Sequence, residues 1–276
     1  MAPGPKTTWE ELSRLGWYKQ QVYDRLNSLR GYTMHGFGDM ALNESFANTY
    51  QWYSYNTTKG DPRSNGDIIN SIQSNQTVWS YDNTGNLQPF ESQWTEKWVE
   101  TSTATLSVTT HAGIELKQSI TIPGVGGSEF SISISTESTS SETKTNEHTL
   151  ENTWKITVNP GEKVSIERTK TSTTGQTVYL VDYGVTNDSL IGTKGDKYND
   201  HYYWGYGINY YLNSPSGTMR LSGHSTKDSY EFKIVRVKPD GKKVFEPLPQ
   251  PPEKLKLLAA SLATEKDKVT LVAGPE

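Results

Sequence analysis

The chain of 276 residues has no cysteine. That excludes a disulfide framework, a thiolate metal site and a thiol nucleophile, and leaves the redox compartment open. Aliphatic residues are scarce: only 33 % of the chain is hydrophobic, less than a compact enzyme of this length usually carries. No stretch approaches the ~20 apolar residues of a membrane-spanning helix. Any membrane crossing must therefore use strands, whose signal per segment is weaker. Met1 to Glu10 holds no apolar run, so no secretory signal is expected. Excess positive charge is also missing. A net charge of −4 argues against a nucleic-acid partner, because phosphate binding needs a basic surface.

Patterns of site chemistry are absent as well. His35, His111, His148, His201 and His224 are scattered, with no metal spacing among them. Asp196, Asn199 and Asp200 lack the EF-hand pattern and read as a polar loop. Gly124-Val125-Gly126-Gly127 is followed by no helix and is not a phosphate loop. No Ser-His-Asp arrangement is visible. The sequence predicts no enzyme, no cofactor and no metal site. The sequons at Asn43, Asn56, Asn75 and Asn187 are expected by chance in an Asn-rich chain.

Tyr, Trp, Ser and Thr are abundant; there are 16 Tyr and 8 Trp. This balance suits an elongated, mainly β molecule with narrow cores and long antiparallel strands, and a small helical N-terminal part. Thr8 to Arg30 reads as that helix, with a capping box at Thr8 and Glu11 and a possible break near Gly16. Leu12, Leu15, Tyr18, Val22, Leu26 and Leu29 recur at spacings of three and four, and Gly31 ends the run. Residues 32–92 read as short strands and loops, with turns at Gly60-Asp61-Pro62 and Ser64-Asn65-Gly66 and a short helix near Ile68 to Ile72. From Gln93 to Thr186, long β-branched runs alternate, with turns at Asn159-Pro160-Gly161-Glu162 and Thr173-Thr174-Gly175. Residues 218–246 read as C-terminal strands, turning at Pro239-Asp240-Gly241. Residues 247–276 read as a linker and tail, a candidate propeptide. The expected organisation is a region 1–92 onto which 187–217 packs, a long-strand module 93–186 with a hairpin at about 102–140, the C-terminal strands, and the tail.

The informative segment is Thr101 to Thr145, where Ser and Thr make up 20 of 45 residues. On its ascending run, seven of nine even positions are apolar: Leu106, Val108, Ala112, Ile114, Leu116, Ile120 and Ile122. The odd positions include His111, Glu115 and Lys117 and carry no large apolar residue. The descending run repeats the parity, with Phe130, Ile132 and Ile134 even and Glu129 odd. Side chains alternate across a strand, so each run has an oily and a wet face. Pro123-Gly124-Val125-Gly126-Gly127 is a turn by composition. A five-residue loop closing Ile122 against Ser128 keeps both apolar sets on one face; loops of two or four would separate them. Leu106 to Ile122, taken as one strand, spans roughly 58 Å at ~3.4 Å per residue. That is more than one crossing of ~9–11 residues. In lipid every backbone group must be paired, so only a closed barrel built from several copies could hold such a hairpin. An ordinary half-buried sheet shows the same alternation. The length of the run, its small Ser/Thr wet face and its apolar tip, Ile120 to Val125, favour the ribbon.

These residues resemble a known family. Thr109-Thr110-His111-Ala112-Gly113-Ile114, then Ile120 to Gly127, then Phe130 to Ser141, are similar to the pre-stem hairpin of aerolysin-type β-pore-forming toxins, the epsilon-toxin and mosquitocidal-toxin branch in particular. Glu151 to Val164 is similar to the long return strand and turn of that module. The resemblance covers roughly Gln93 to Thr186; the first 90 residues and the aromatic cluster match no member. It implies a soluble protoxin, secreted or released from intracellular inclusions. It further implies a surface receptor (glycan, lipid or GPI-anchored protein), proteolytic activation, and homo-oligomerisation into a ring, often of seven, in the target-cell membrane. Leu106, Val108, Ala112, Ile114, Leu116, Ile120, Ile122, Pro123, Val125, Phe130, Ile132 and Ile134 would then meet lipid, and His111, Glu115, Lys117 and Glu129 the lumen.

Two aromatic clusters are further candidates. Tyr198, Tyr202, Tyr203, Trp204 and Tyr206, meeting Trp52 and Tyr53 in space, would form a receptor or glycan surface; alternatively these rings fill a core poor in aliphatics. Lys254 and Lys256, beyond the Pro247–Pro252 linker, are candidate activation cleavage points, or belong to a docked terminal element. The alternative to a pore former is a non-toxic, lectin-like β protein of the same architecture.

Overall fold

The computed structural model describes residues 4–110, 113–136, 141–251 and 254. The chain begins with two helices, α1 (Trp9–Arg14) and α2 (Lys19–Leu29), where one was expected. Thr8 and Glu11 form the capping box. Gly16, at φ +96°, breaks the helical run, a conformation glycine adopts at little cost. There follow β1 (Met40–Ala41), α3 (Ser45–Thr49), β2 (Asn56–Asp82), β3 (Phe90–Val108), β4 (Lys117–Pro123) and β5 (Glu129–Ser135). The remainder is β6 (Ser141–Val158), β7 (Lys163–Val185), β8 (Leu190–Tyr198), β9 (His201–Gly207), α4 (Ile208–Tyr211), β10 (Ser216–Val237) and β11 (Lys243–Pro247). The molecule is mainly β and elongated, since a strand of 27 residues such as β2 runs roughly 90 Å.

The main sheet has the order β2-β7-β10-β3-β6, with β11 added on β10, and every pairing is antiparallel. β3 and β10 pair only from Val108–Leu221 to Ser102–Lys227. Beyond that fork the sheet splits. β3 and β6 form one layer, while β2, β7, β10 and β11 form the other. Between them lies a core of Trp98, Leu150, Trp154 and Ile156 against Val164, Ile166, Phe232 and Ile234. At the opposite end the helices pack with the three-stranded sheet β1-β8-β9 into a second core that continues along the main sheet.

Two expectations are overturned here. Residues 56–82 form one long strand, not short strands with a helix near Ile68–Ile72. Their turn signals are β-bulges: the ladder to β7 slips between Lys59 and Arg63 and again between Ser64 and Asp67. Pro62 is tolerated because β2 is an edge, where a missing N–H costs no ladder bond. Nor does the chain turn at Thr173-Thr174-Gly175; β7 runs straight through. The turns at Asn159–Glu162 and Pro239–Gly241 are present, with Gly161 and Gly241 both at φ +80°.

The Asn159–Glu162 turn is pinned at the sandwich end. Arg236 on β10 donates to Glu162 at 2.5 Å and to the Thr157 carbonyl at 3.0 Å, and both charged side chains are largely buried. Burial pushes the Glu162 carboxyl up, but the Asn159 N–H and the Arg236 guanidinium outweigh it, so the group lies below the ordinary carboxylate range. A depressed carboxylate adds stability above its unfolded pKa, and that stability is lost as pH falls through the folded value. Arg236→Met strands a buried carboxylate and is expected to cost about 3 kcal/mol at pH 7. In urea titrations the gap from the parent protein should narrow as pH falls through the carboxylate range.

Candidate insertion hairpin and aromatic head

β4 and β5 pair with each other alone among the described strands. The closing pair is Pro123–Glu129 around the five residues 124–128; the loop sits one residue later than the expected Ile122–Ser128 closure, so each partner shifts by two residues and parity is kept. Parity is as the sequence predicts: Ile120 faces Ile132 and Ile122 faces Phe130. All four are buried, as are Ile114, Leu116 and Ile134. They pack on Ala104, Leu106 and Val108 of β3, Tyr179 and Val181 of β7, and Met219 and Leu221 of β10. The odd positions Lys117, Ser119, Thr121 and Glu129 are exposed, and Glu115, half-buried, pairs with Lys117 at 3.6 Å.

The ascending run is not one strand in this state. Leu106 and Val108 end β3 within the main sheet. The chain then leaves the strand conformation, with Gly113 at φ +72°, and re-enters it at Lys117. The Thr109 and Thr110 N–H groups both donate to the Arg220 carbonyl where the ladder stops. The hairpin is thus folded back onto the sheet that carries its ends. His111 and Ala112 lie outside the described residues.

Polar contacts hold it at both ends. At the root, the largely buried Glu11 carboxylate accepts from the Glu115 N–H at 2.6 Å and the Asn56 amide at 3.0 Å. Arg14 donates to the Gly113 carbonyl at 2.6 Å. Gln118, polar at an even position, accepts from the Thr58 N–H at 2.9 Å and from the Thr58 hydroxyl. At the tip, Lys227 donates to the Gly126 carbonyl at 2.8 Å, and Tyr179 to the Pro123 carbonyl at 3.2 Å. The Val125 N–H reaches Ser225 Oγ at 3.2 Å. Val125 itself rests on Gly175 of β7, where any Cβ would collide with its Cγ1. That close approach accounts for the glycine read as a turn. The sequence marked Glu11, Asn56 and Gly175 for other roles, and Arg14, Thr58, Tyr179, Ser225 and Lys227 for none.

The tail reaches the same place. Lys254 donates to Glu100 at 2.7 Å and to the Tyr230 carbonyl at 2.9 Å. Its amine is enclosed at the fork, not presented to a protease; Lys256 lies outside the described residues. Glu100, Lys254, Lys227 and Gly126–Ser128 line one cleft of about 520 Å³.

In the head the two aromatic clusters meet. Tyr50 stacks on Trp52 with centroids 4.7 Å apart and lies 5.3 Å from Tyr203, which contacts Phe46 at 5.4 Å. Trp52 lies flat over Gly192 and Gly205, where a Cβ would sit 3.0–3.1 Å from its ring. Tyr202 and Tyr203 are exposed, and Trp204, half-buried, donates to the Tyr198 carbonyl. Tyr53 carries the Lys6 ammonium over its ring at 4.6 Å. Tyr206 is a correction: it is 7 % exposed and packs edge-on to Tyr211 in the core, so it cannot form a binding surface. Tyr50, not among the sequence candidates, belongs to this surface through its stacking on Trp52. Beneath the β8–β9 turn, the fully buried Arg30 donates to the Asp196 and Tyr202 carbonyls. Among the described residues no group of His, Cys, Asp and Glu forms a metal site.

No protein-family model matches the chain, and no curated protein does. Among solved structures, the chain is similar to parasporin-2, a Bacillus thuringiensis toxin that recognises cancer cells. Identity is 24 %, the TM-score 0.43, and the match covers 89 % of this chain and 99 % of that one. It is also similar to the Mpp75Aa1.1 β-pore-forming protein of Brevibacillus laterosporus, at 15 % identity and a TM-score of 0.43, over 88 % and 96 % of the two chains. A non-toxic crystal protein of Bacillus thuringiensis matches at 12 % identity and a TM-score of 0.38, over 74 % and 93 %.

Gly175→Ala places a methyl group against Val125. It is expected to cost about 1–3 kcal/mol and to speed amide exchange at residues 124–128, with exchange in the sandwich core unchanged.

Proposed function

We propose that this protein is a pore-forming toxin that releases the β4–β5 hairpin from its sheet and inserts it, with those of other copies, as part of a transmembrane β-barrel. The observation that supports this reading above all is the hairpin's pairing. Among the described residues its strands share a ladder only with each other, its oily face is complete, and its attachments at root and tip are side-chain contacts that separate without breaking the main sheet. In both ladders, β3–β6 and β4–β5, even residues face even residues (Leu106–Glu142, Ile120–Ile132). Straightening the segment near Gly113 therefore yields a ribbon with one oily face, holding Leu106, Val108, Ile114, Leu116 and the hairpin isoleucines. Glu115, Lys117 and Glu129 fall on the side that would line the lumen.

Energy sets the condition for release. Burying seven large apolar side chains is worth about 10–20 kcal/mol gross. Exposing them to water would consume the whole stability of an ordinary domain. Only a bilayer accepts that face at comparable free energy, and it does so only when neighbouring hairpins satisfy the strand edges. The exposed rings of Tyr50, Tyr202 and Tyr203, with the half-buried Trp52 between them, supply the receptor or glycan surface in this reading. Activation near the tail would first have to free Lys254 from Glu100.

A disulfide tests the hairpin directly. Val125 Cβ lies 3.9 Å from the position a Cβ would take at Gly175, the separation of a native disulfide, and the chain has no other cysteine. The Val125→Cys/Gly175→Cys protein should release no dye from liposomes when oxidised and regain leakage on reduction. Equal leakage in both states would refute insertion of this hairpin. For the head, Tyr50→Ala/Tyr203→Ala should lower binding to target cells at least tenfold while the melting temperature holds. A lectin-like protein would show that binding loss but never leak dye.

A further inference from the structure

Among the described strands β2 has one neighbour in the sheet, β7, and the other side of its backbone pairs with none of them. Edges of this kind are usually blunted by charge, proline or bulges. The first part of β2 follows that rule, with Lys59, Asp61, Pro62, Arg63 and Asp67 and two bulges. The rest carries one such device, a third register shift between Thr77 and Trp79, beyond the isoleucines. From Ile68 to Tyr81 there is neither a charged residue nor a proline. Within it Ile68, Ile69 and Ile72 are 62 %, 63 % and 74 % exposed. The opposite edge, β6, is protected by Glu142, Lys144, Glu147 and Glu151 and carries no exposed large apolar residue among those described.

We propose that this stretch is a homotypic docking edge, at which two copies of the chain pair antiparallel about a two-fold axis at Asn70. The side-chain pattern selects that centre. Ile68, Asn70 and Ile72 share one face of the strand. Pairing about Asn70 sets Ile68 opposite Ile72 of the second copy, and Ile72 opposite Ile68, giving two apolar cross-strand pairs. Moving the centre to Ile69 or Ser71 leaves both isoleucines against Asn70, Ser74 or Gly66. At the Asn70 centre, Asp67 falls opposite Gln73, so no like charges meet. The bulge at Gly66 (φ +95°) ends the pairing, limiting it to residues 67–73 of each copy. Asn70 is one residue from the middle of Asn56–Asp82. The helical end of each copy therefore lies beside the sandwich end of the other, clear of its head. The surface fits a second copy better than a foreign strand, because its apolar pattern is complementary to itself. The contact does not depend on the pore reading.

Single cysteines test the register. Facing residues of an antiparallel pair have Cα atoms ~4.5–5.5 Å apart, within disulfide reach. Asn70→Cys should therefore give a disulfide-linked dimer on mild oxidation. Ser74→Cys, on the same face and equally open, should give none, since its two copies would sit roughly 27 Å apart. Adding Ile72→Lys to Asn70→Cys should abolish the cross-link, with circular dichroism confirming the fold. The parent protein should sediment as a concentration-dependent dimer. A monomer at every concentration would overturn the proposal. So would cross-linking at Asn70→Cys no faster than at Ser74→Cys, the result given by random collision or by a β2-to-β6 contact.

Discussion

The side-chain parity of one ribbon governs this molecule. Even residues of β3, β4 and β5 share one face, oily at Ala104, Leu106, Val108, Ile120, Ile122, Phe130, Ile132 and Ile134, and the segment around Gly113 folds that face onto itself like a closing book. Ile120, Ile122, Phe130 and Ile132 thereby cover Leu106, Val108 and the strands beside them. A slip of one residue in either ladder would turn the isoleucines outward and leave the sheet bare. The match between hairpin and sheet is thus a consequence of a single alternating pattern, and the same pattern would give a straightened ribbon its two distinct faces.

Much of this was legible because period-two alternation survives almost any tertiary context. The capping box at Thr8 and Glu11, the turns at Asn159–Glu162 and Pro239–Gly241, and the odd-numbered hairpin loop all rest on local chemistry. What failed was the reading of breakers. Gly60, Pro62 and Gly66 mark a loop in most settings; on an edge strand they become bulges, and only the partner strand reveals the edge. Gly175 looked like a turn, yet it is a strand residue kept bare for Val125. The break after Val108 escaped because a strand that bends back keeps the same alternation as one that runs on. Tyr206 was misplaced for a related reason: along β9 the exposed Tyr203 and the buried Tyr206 sit in one unbroken aromatic run, and burial there is decided by α4.

Binding strength and releasability are divided between different atoms. The apolar face supplies the large, non-directional part of the docking free energy, and lipid can replace it almost one for one. The polar clamps at Glu11, Gln118, Ser225 and Lys227 are directional, each worth about 0.5–1.5 kcal/mol net. They have no counterpart in a bilayer, so they fix the register of the closed form without adding much to the barrier that lipid must offset. A hairpin held mainly by hydrogen bonds would be costly to move into hydrocarbon. One held mainly by greasy contact is already chemically prepared for it.

If the hairpin opens as proposed, the positions of the clamps favour a start at the tip. The root is tied to α1 and to the first residue of β2 through Glu11 and Asn56, both buried, and it lies deep in the head's core. The tip, by contrast, sits at the fork where β3 and β10 part, held by Lys227, the half-buried Ser225, the Tyr179 hydroxyl and the seat of Val125 on Gly175. The fork is also where Lys254 closes on Glu100, lining the same cleft as Gly126–Ser128. A change in the tail therefore acts next to the weaker end of the hairpin. In the proposed insertion the root would be the hinge, since Gly113 holds the backbone conformation from which the strand would have to straighten.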